Sequence, residues 1–366
     1  MGFAEFVGNE RIVAALRRML ASGRMPHALL FTGPRGVGKY LLARMFAQAA
    51  NCEQLPDDFC GECTHCRSIA GLADLGPLLE AALAERGDAP DAATVERMPL
   101  ILQTHPDVWV LVPDPVRRHN PVAWPAIRMG QLRAVQRAAY FRPLARRRVF
   151  IIDGAETMRW DYANIFLKVL EEPPDTATLI LLAPTPDTLL PTIQSRCLKF
   201  HFAPLTVEQV EQLLKQKTGL KPAERRLAAQ LAAGSPGVAM TLDLEESARV
   251  RRELLQLIEA ALEGRAGPDT FALTEQLSRR QKEGLENLLE LFYSLLRDLL
   301  ELSCDPNGAS VRNPDLRAEL ERVAPRVTVE WVARATGELD KFHARLRRNI
   351  NRQLGLDAWV AASAAR

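Results

Sequence analysis

Charge of one sign, aromatic rings and long apolar runs are all scarce in this sequence. The formal net charge is +2, too near zero to draw the whole chain toward a polyanion, so any basic surface must be local. Aromatic residues make up 6%, and no apolar stretch approaches the roughly 20 residues of a membrane helix. The opening "MGFAEFVGNERIV" lacks the basic-then-apolar plan of a secretory leader. Phe6 stands where a myristoylation signal needs Ser or Thr. Repeats and low-complexity tracts are missing too. These absences predict a cytoplasmic chain with no membrane partner. At 366 residues, it is long enough for two or three domains.

Cysteine is few but uneven: of six, four fall between residues 52 and 66. In a reducing compartment that crowding predicts metal ligation rather than disulfides. Cys52, Cys60, Cys63 and Cys66 form a C-x7-C-x2-C-x2-C series. Four thiolates on a short excursion close tetrahedrally on Zn²⁺ and leave no open position, which makes such a site structural. An iron–sulfur cluster is the rival, but its run needs a further Cys three residues on and then Pro, and "CRSIA" supplies neither. His65, between two of the thiols, stays open as a ligand.

Residues 33–40 read "GPRGVGKY". They match a phosphate-binding loop except at the last position, where Ser or Thr is required. The context fits: "HALLFTG" reads as a buried strand, and "KYLLARMFAQAANC" as an amphipathic helix. Backbone N–H groups of Gly33, Pro34, Arg35, Gly36, Val37, Gly38, Lys39 and Tyr40 (Pro34 lacking one) form the candidate cradle, and Lys39 would reach the outer phosphates. Tyr40 cannot hold Mg²⁺ as the short hydroxyl does. ATP with Mg²⁺ therefore stays open as a ligand, while hydrolysis is disfavoured. Asp153 closes the strand "RRRVFIID" and suits Mg²⁺ support, or merely caps the strand; Gly154 follows where many hydrolysing relatives place a glutamate.

Further strands are read at "DVWVLVP" and "TATLILLAP", and helices at "AIRMGQLRAVQRAAYF" and "DYANIFLKVLEEPP", the latter stopped by Pro173 and Pro174. Alternation of this kind predicts an α/β domain with a mostly parallel sheet. Arg146, Arg147 and Arg148 read as a solvated loop. The insertion at about 67–104 is assigned no chemistry. "APLT" at 203–206 reads as a linker, and the rest as helical. We expect three domains: 1–204 around the phosphate loop, carrying the cysteine module (52–66) and the insertion; a small helical unit at 205–244; and a larger helical bundle at 245–366. "SRC" at 195–197 places Arg196 at the domain edge, a solvated arginine or a finger acting on a neighbour's phosphoryl group.

In order along the chain, "FVGNERIVAALRRMLASGRMPHALLFTGPRGVGKYLLARMFAQAANC", the four cysteines, "HPDV", "NIFLKVLEEPP", "TIQSRC" and "NINRQLGLDAW" resemble the bacterial DNA polymerase III clamp-loader subunits of the AAA+ family. The resemblance implies an AAA+ fold with lid and collar, in a hetero-pentameric ring with gamma/tau motor subunits and a delta subunit. That ring places the sliding β clamp on primer-template DNA. Motor members carry an intact loop, an acid pair and a sensor arginine; here Tyr40, Gly154 and Gly237 stand instead. With "SRC" kept, those departures resemble the delta-prime branch, whose stator role implies that Arg196 serves an adjacent motor's ATP site. A motor-type ATPase is the alternative.

Overall fold

The apolar runs become the inner strands of one six-stranded sheet in the computed structural model, which describes residues 2–87, 90–115, 125–265, 267–279, 282–307, 311–346 and 351–364. Two compact units divide the chain: Met1–Gln209 with Ser235–Gly237, and Val210–Gly234 with Val238–Arg366.

The first unit opens with α1 (Glu10–Ser22), β1 (Ala28–Thr32) and α2 (Lys39–Asn51). Next come α3 (Thr64–Ala70), α4 (Gly76–Arg86), α5 (Ala92–Arg97), β2 (Leu102–His105) and β3 (Val108–Leu111). Then follow α6 (Met129–Ala139), β4 (Arg148–Asp153), α7 (Trp160–Glu171), β5 (Ala177–Ala183), α8 (Pro191–Gln194) and β6 (Leu198–His201). The strand order is β2-β3-β4-β5-β1-β6. Every neighbouring pair is parallel except β2 with β3.

Both β1 and β5 are buried along their whole length, as strands covered on both faces must be. Alternation sorts the side chains of β1, β4 and β5 into two cores. Leu29, Phe31, Ile151 and Ile180 join one with Leu42 and Phe46 of α2. Leu30, Phe150, Ile152 and Leu181 join the other with Leu132, Val135 and Phe166. The phosphate loop thus leaves the carboxyl end of a central strand.

Three features depart from the sequence reading. The insertion contributes α4, α5 and the antiparallel strand β2. β6, which the sequence did not reveal, extends the parallel sheet beside β1. Arg147 is not solvated: it is buried, donating from Nε to Thr178 Oγ1 at 2.6 Å and from its Nη atoms to the carbonyls of Asp175 and Ala177, both at 2.9 Å. One arginine thereby stitches the amino-terminal ends of β4 and β5.

The chain continues through α9 (Val207–Lys217), α10 (Pro222–Leu231), α11 (Pro236–Thr241), α12 (Leu244–Leu262) and α13 (Pro268–Ser278). It closes with α14 (Lys282–Cys304), α15 (Arg317–Val323), α16 (Val329–Leu346) and α17 (Arg352–Ser363). The second unit is helical among its described residues. Its core centres on Phe292 against Trp359, ring centroids 4.4 Å apart. A buried guanidinium, Arg251, forks onto Asp315 at 2.7 and 2.8 Å, the bidentate geometry of the stronger arginine–carboxylate pairs. Of "NINRQLGLDAW", Asn349 and Ile350 lie outside the described residues.

Candidate phosphate loop, cysteine cluster and exposed arginine

The loop between β1 and α2 runs through three positive-φ glycines, Gly33 (139°), Gly36 (75°) and Gly38 (107°). Space as well as conformation demands glycine at Gly33, where a Cβ would lie 2.6 Å from the Phe202 carbonyl oxygen. Val37 is buried, and Phe6 lies against Gly38 and meets Phe202 edge-on.

Lys39 does not project outward. Its Nζ donates to the carbonyls of Gly33 at 2.6 Å and Pro34 at 2.8 Å, so the ammonium is satisfied by the loop it was expected to serve. Burial lowers its pKa, against the opposing pull of Asp153 and Glu156. Asp153 shifts upward because burial disfavours its charge, while Lys39, the Gly154 N–H and Arg35 pull it down. The structure therefore brings Lys39, Arg35 and Asp153 into one electrostatic group. Gly237 belongs to the same unit: its N–H donates to Gly36 O at 2.9 Å. A Cβ there would stand 3.0 Å from that oxygen and 3.1 Å from Gly36 Cα, so an arginine cannot occupy position 237 without moving the loop.

Tyr40 departs from the loop altogether. Its hydroxyl donates to Leu72 O at 2.6 Å, and burial pushes its pKa upward. One and two turns on, Arg44 Nη1 donates to Ala70 O at 3.1 Å and Gln48 Nε2 to Cys66 O at 3.0 Å. Positions i, i+4 and i+8 lie on one helix face, so three side chains of α2 donate to carbonyls of α3 and of the turn behind it. Sequence reasoning missed this stripe, although the spacing of polar hydrogen-bond donors at 40, 44 and 48 was visible.

The four cysteine sulfurs lie within 4.8 Å of one another, and all four thiols are free. With a zinc–sulfur bond near 2.3 Å, tetrahedral ligands stand about 3.8 Å apart; Cys60 and Cys66 Sγ atoms are 3.9 Å apart. Backbone N–H groups of Glu62 and Cys63 point at Cys60 Sγ, and that of Cys60 at Cys52 Sγ. The first two lower the Cys60 pKa to about 7, the direction a thiolate ligand needs, whereas burial raises that of Cys66. The donor set fits a metal and is compatible with structural zinc.

His65 is turned away from this cluster. Its Nδ1 lies 2.8 Å from His105 Nε2 and its Nε2 lies 3.1 Å from Glu53 Oε1. Because the Asp107 N–H donates to His105 Nδ1 at 3.1 Å, neutral His105 carries its proton on Nε2 and gives it to His65. A relay thus ties the cysteine module to the strand pair β2–β3, and "HPDV" supplies two of its members.

Arg196 follows α8. Its Nη2 pairs with Glu171 Oε1 at 2.7 Å, and its Nη1 donates to Thr192 O at 2.9 Å. Both bonds are open to solvent.

Two models of the family described as "DNA polymerase III, delta subunit" match this chain, over residues 8–206 and, for the C-terminal part, 246–362. Bacillus subtilis (strain 168) DNA polymerase III subunit delta' is 26% identical over 349 residues, covering 94% of this chain and 92% of its own. Escherichia coli (strain K12) DNA polymerase III subunit tau is 28% identical over 353 residues, covering 90% of this chain and 48% of its own. The Mycobacterium tuberculosis (strain H37Rv) subunit gamma/tau is 32% identical over 214 residues, 58% of this chain and 30% of its own. The chain therefore spans less than half the length of these tau-type relatives. A solved DNA polymerase III gamma subunit-related protein from Thermotoga maritima superposes with a TM-score of 0.41 at 17% identity, over 96% of this chain and 98% of that one.

Proposed function

Because this chain belongs to the DNA polymerase III, delta subunit, family and is delta'-like among its relatives, we propose that it is the stator of an AAA+ clamp loader. In this reading it completes a hetero-pentameric ring with gamma/tau motor subunits and a delta subunit, which loads the sliding β clamp on primer-template DNA in the cytoplasm. Arg196 reaches the ATP site of an adjacent motor and stabilises charge on the transferring phosphoryl group. Residues 1–204, 205–244 and 245–366 serve as core, lid and collar. No helix among the described residues is long and apolar enough to cross a membrane.

The observation that carries the proposal is the state of the loop. Lys39 is bonded to Gly33 O and Pro34 O, Gly237 rests on Gly36, and the Tyr40 hydroxyl is spent on Leu72 O. A nucleotide would have to displace Lys39 from its carbonyls, and no short hydroxyl stands ready for Mg²⁺. Zinc held by Cys52, Cys60, Cys63 and Cys66 supplies a closed crosslink and no reaction.

A motor-type ATPase is the second reading, favoured by the tau and gamma/tau relatives. Phosphate release by the isolated chain decides between the two. The stator reading expects no turnover above background; steady, DNA-stimulated turnover without other subunits would sink it. Calorimetry with ATP, with and without Mg²⁺, separates lost binding from lost chemistry.

A further inference from the structure

Resting on the reading of Arg196 as a finger for a neighbour's ATP, we propose that Glu171 is the residue that positions it. Glu171 ends α7, where unpaired carbonyls make a carboxylate unfavourable. Helix stability therefore gives no reason for an acid there, and Pro173 with Pro174 fixes the point at which the helix stops. What the carboxylate does is receive Arg196 Nη2 at 2.7 Å. From the other side the Thr192 carbonyl receives Nη1 at 2.9 Å, with Ser195 Oγ at 3.5 Å from the same nitrogen.

A planar guanidinium attached at two points, on the end of α7 and on α8, has a defined plane and direction. Nε–H and a second Nη2–H are left for an incoming oxygen. An arginine on a flexible stem must otherwise be ordered when the partner arrives, which weakens its effect on the transition state. The two side chains are 34% and 49% exposed, and exposed ion pairs contribute little to stability. The pair therefore acts on geometry rather than on folding, and Glu171 acts through Arg196 without touching the nucleotide.

The experiment uses the complex reconstituted with its motor subunits, measuring kcat and KM for ATP. Glu171→Ala is expected to lower kcat by about twofold to fivefold, the most that an exposed ion pair can contribute to ordering Arg196, while KM stays put, because the pocket that binds ATP belongs to the neighbour. Glu171→Gln keeps Oε1 as an acceptor and is expected to recover most of kcat. Adding Glu171→Ala to Arg196→Ala is expected to cause no further loss. Unchanged or faster turnover in Glu171→Ala overturns the proposal, as does an equal loss when Arg196 is already absent. Full turnover by Arg196→Ala overturns the finger reading as well, and so is distinguishable from a failure of Glu171 alone. Gel filtration of each complex checks assembly; if Glu171→Ala does not assemble, Glu171→Asp carries the test, with a partial loss of kcat expected and full kcat overturning the proposal.

Discussion

Tyr40 does two things at once: it removes a metal-binding hydroxyl and adds a long-range hydrogen bond to Leu72 O. Replacing it with phenylalanine leaves that carbonyl without its donor, at a cost of about 1 kcal/mol, to be read from urea unfolding. Tyr40→Ser is expected not to restore phosphate release, because Gly154 still stands where a water-activating carboxylate is needed. A restored steady rate in that variant would show that the tyrosine alone had disabled the site. Arg147 makes the larger energetic case. Arg147→Met strips donors from the Thr178 hydroxyl and the carbonyls of Asp175 and Ala177, and charged hydrogen bonds are the stronger kind, so about 3 kcal/mol is expected to be lost. An unchanged urea midpoint would mean that water takes over those partners. Neither partner set was legible beforehand, because both consist largely of backbone carbonyls remote in sequence. Residue identity announces a donor, but the carbonyls it meets are the same at every position.

At the scale of elements, the legible parts are those with a local period. The inner strands β1 and β5 are unbroken apolar runs, and the cysteine spacing announced its cluster directly. β6 hid because "LKFH" leaves Leu198 44% exposed at the sheet edge, so neither alternation nor a continuous apolar run marked it. The insertion hid β2 for a similar reason, as a strand with one bulged pairing beside β3. The cysteine module is held by the α2 stripe and, in the proposed reading, by zinc. Removing zinc present at about a thousandfold over its dissociation constant is expected to lower stability by about 4 kcal/mol, which is roughly 10 °C in thermal midpoint. Hydrogen exchange over residues 60–73 should rise most, because Cys66, Ala70 and Leu72 supply the carbonyls that Gln48, Arg44 and Tyr40 grip. Protein purified without one equivalent of zinc, equally stable with and without chelator, would contradict the assignment.

For the whole molecule, the testable distinction is between a chain that turns over ATP and one that makes others do so. In a reconstituted complex, Arg196→Ala is expected to reduce ATP turnover at least tenfold, within the range attributed to arginine fingers, while assembly on gel filtration is unchanged. The likeness to delta' covers nearly the full length of both chains, so this expectation concerns the whole polypeptide rather than one domain. The edge of the sheet is also tied down beyond β6. The Asn9 side chain binds both backbone groups of Ala203, accepting from its N–H at 2.8 Å and donating to its carbonyl at 3.1 Å. Beyond Ala203 the first unit continues to Gln209, with Leu205 buried against Gly8. β6 is an edge strand, and at its far end the Phe202 N–H donates to Thr32 O. The amide of one asparagine therefore ties the end of β6 to the start of α1, and Asn9→Ala is expected to speed amide exchange at Ala203 while the inner strands keep their protection.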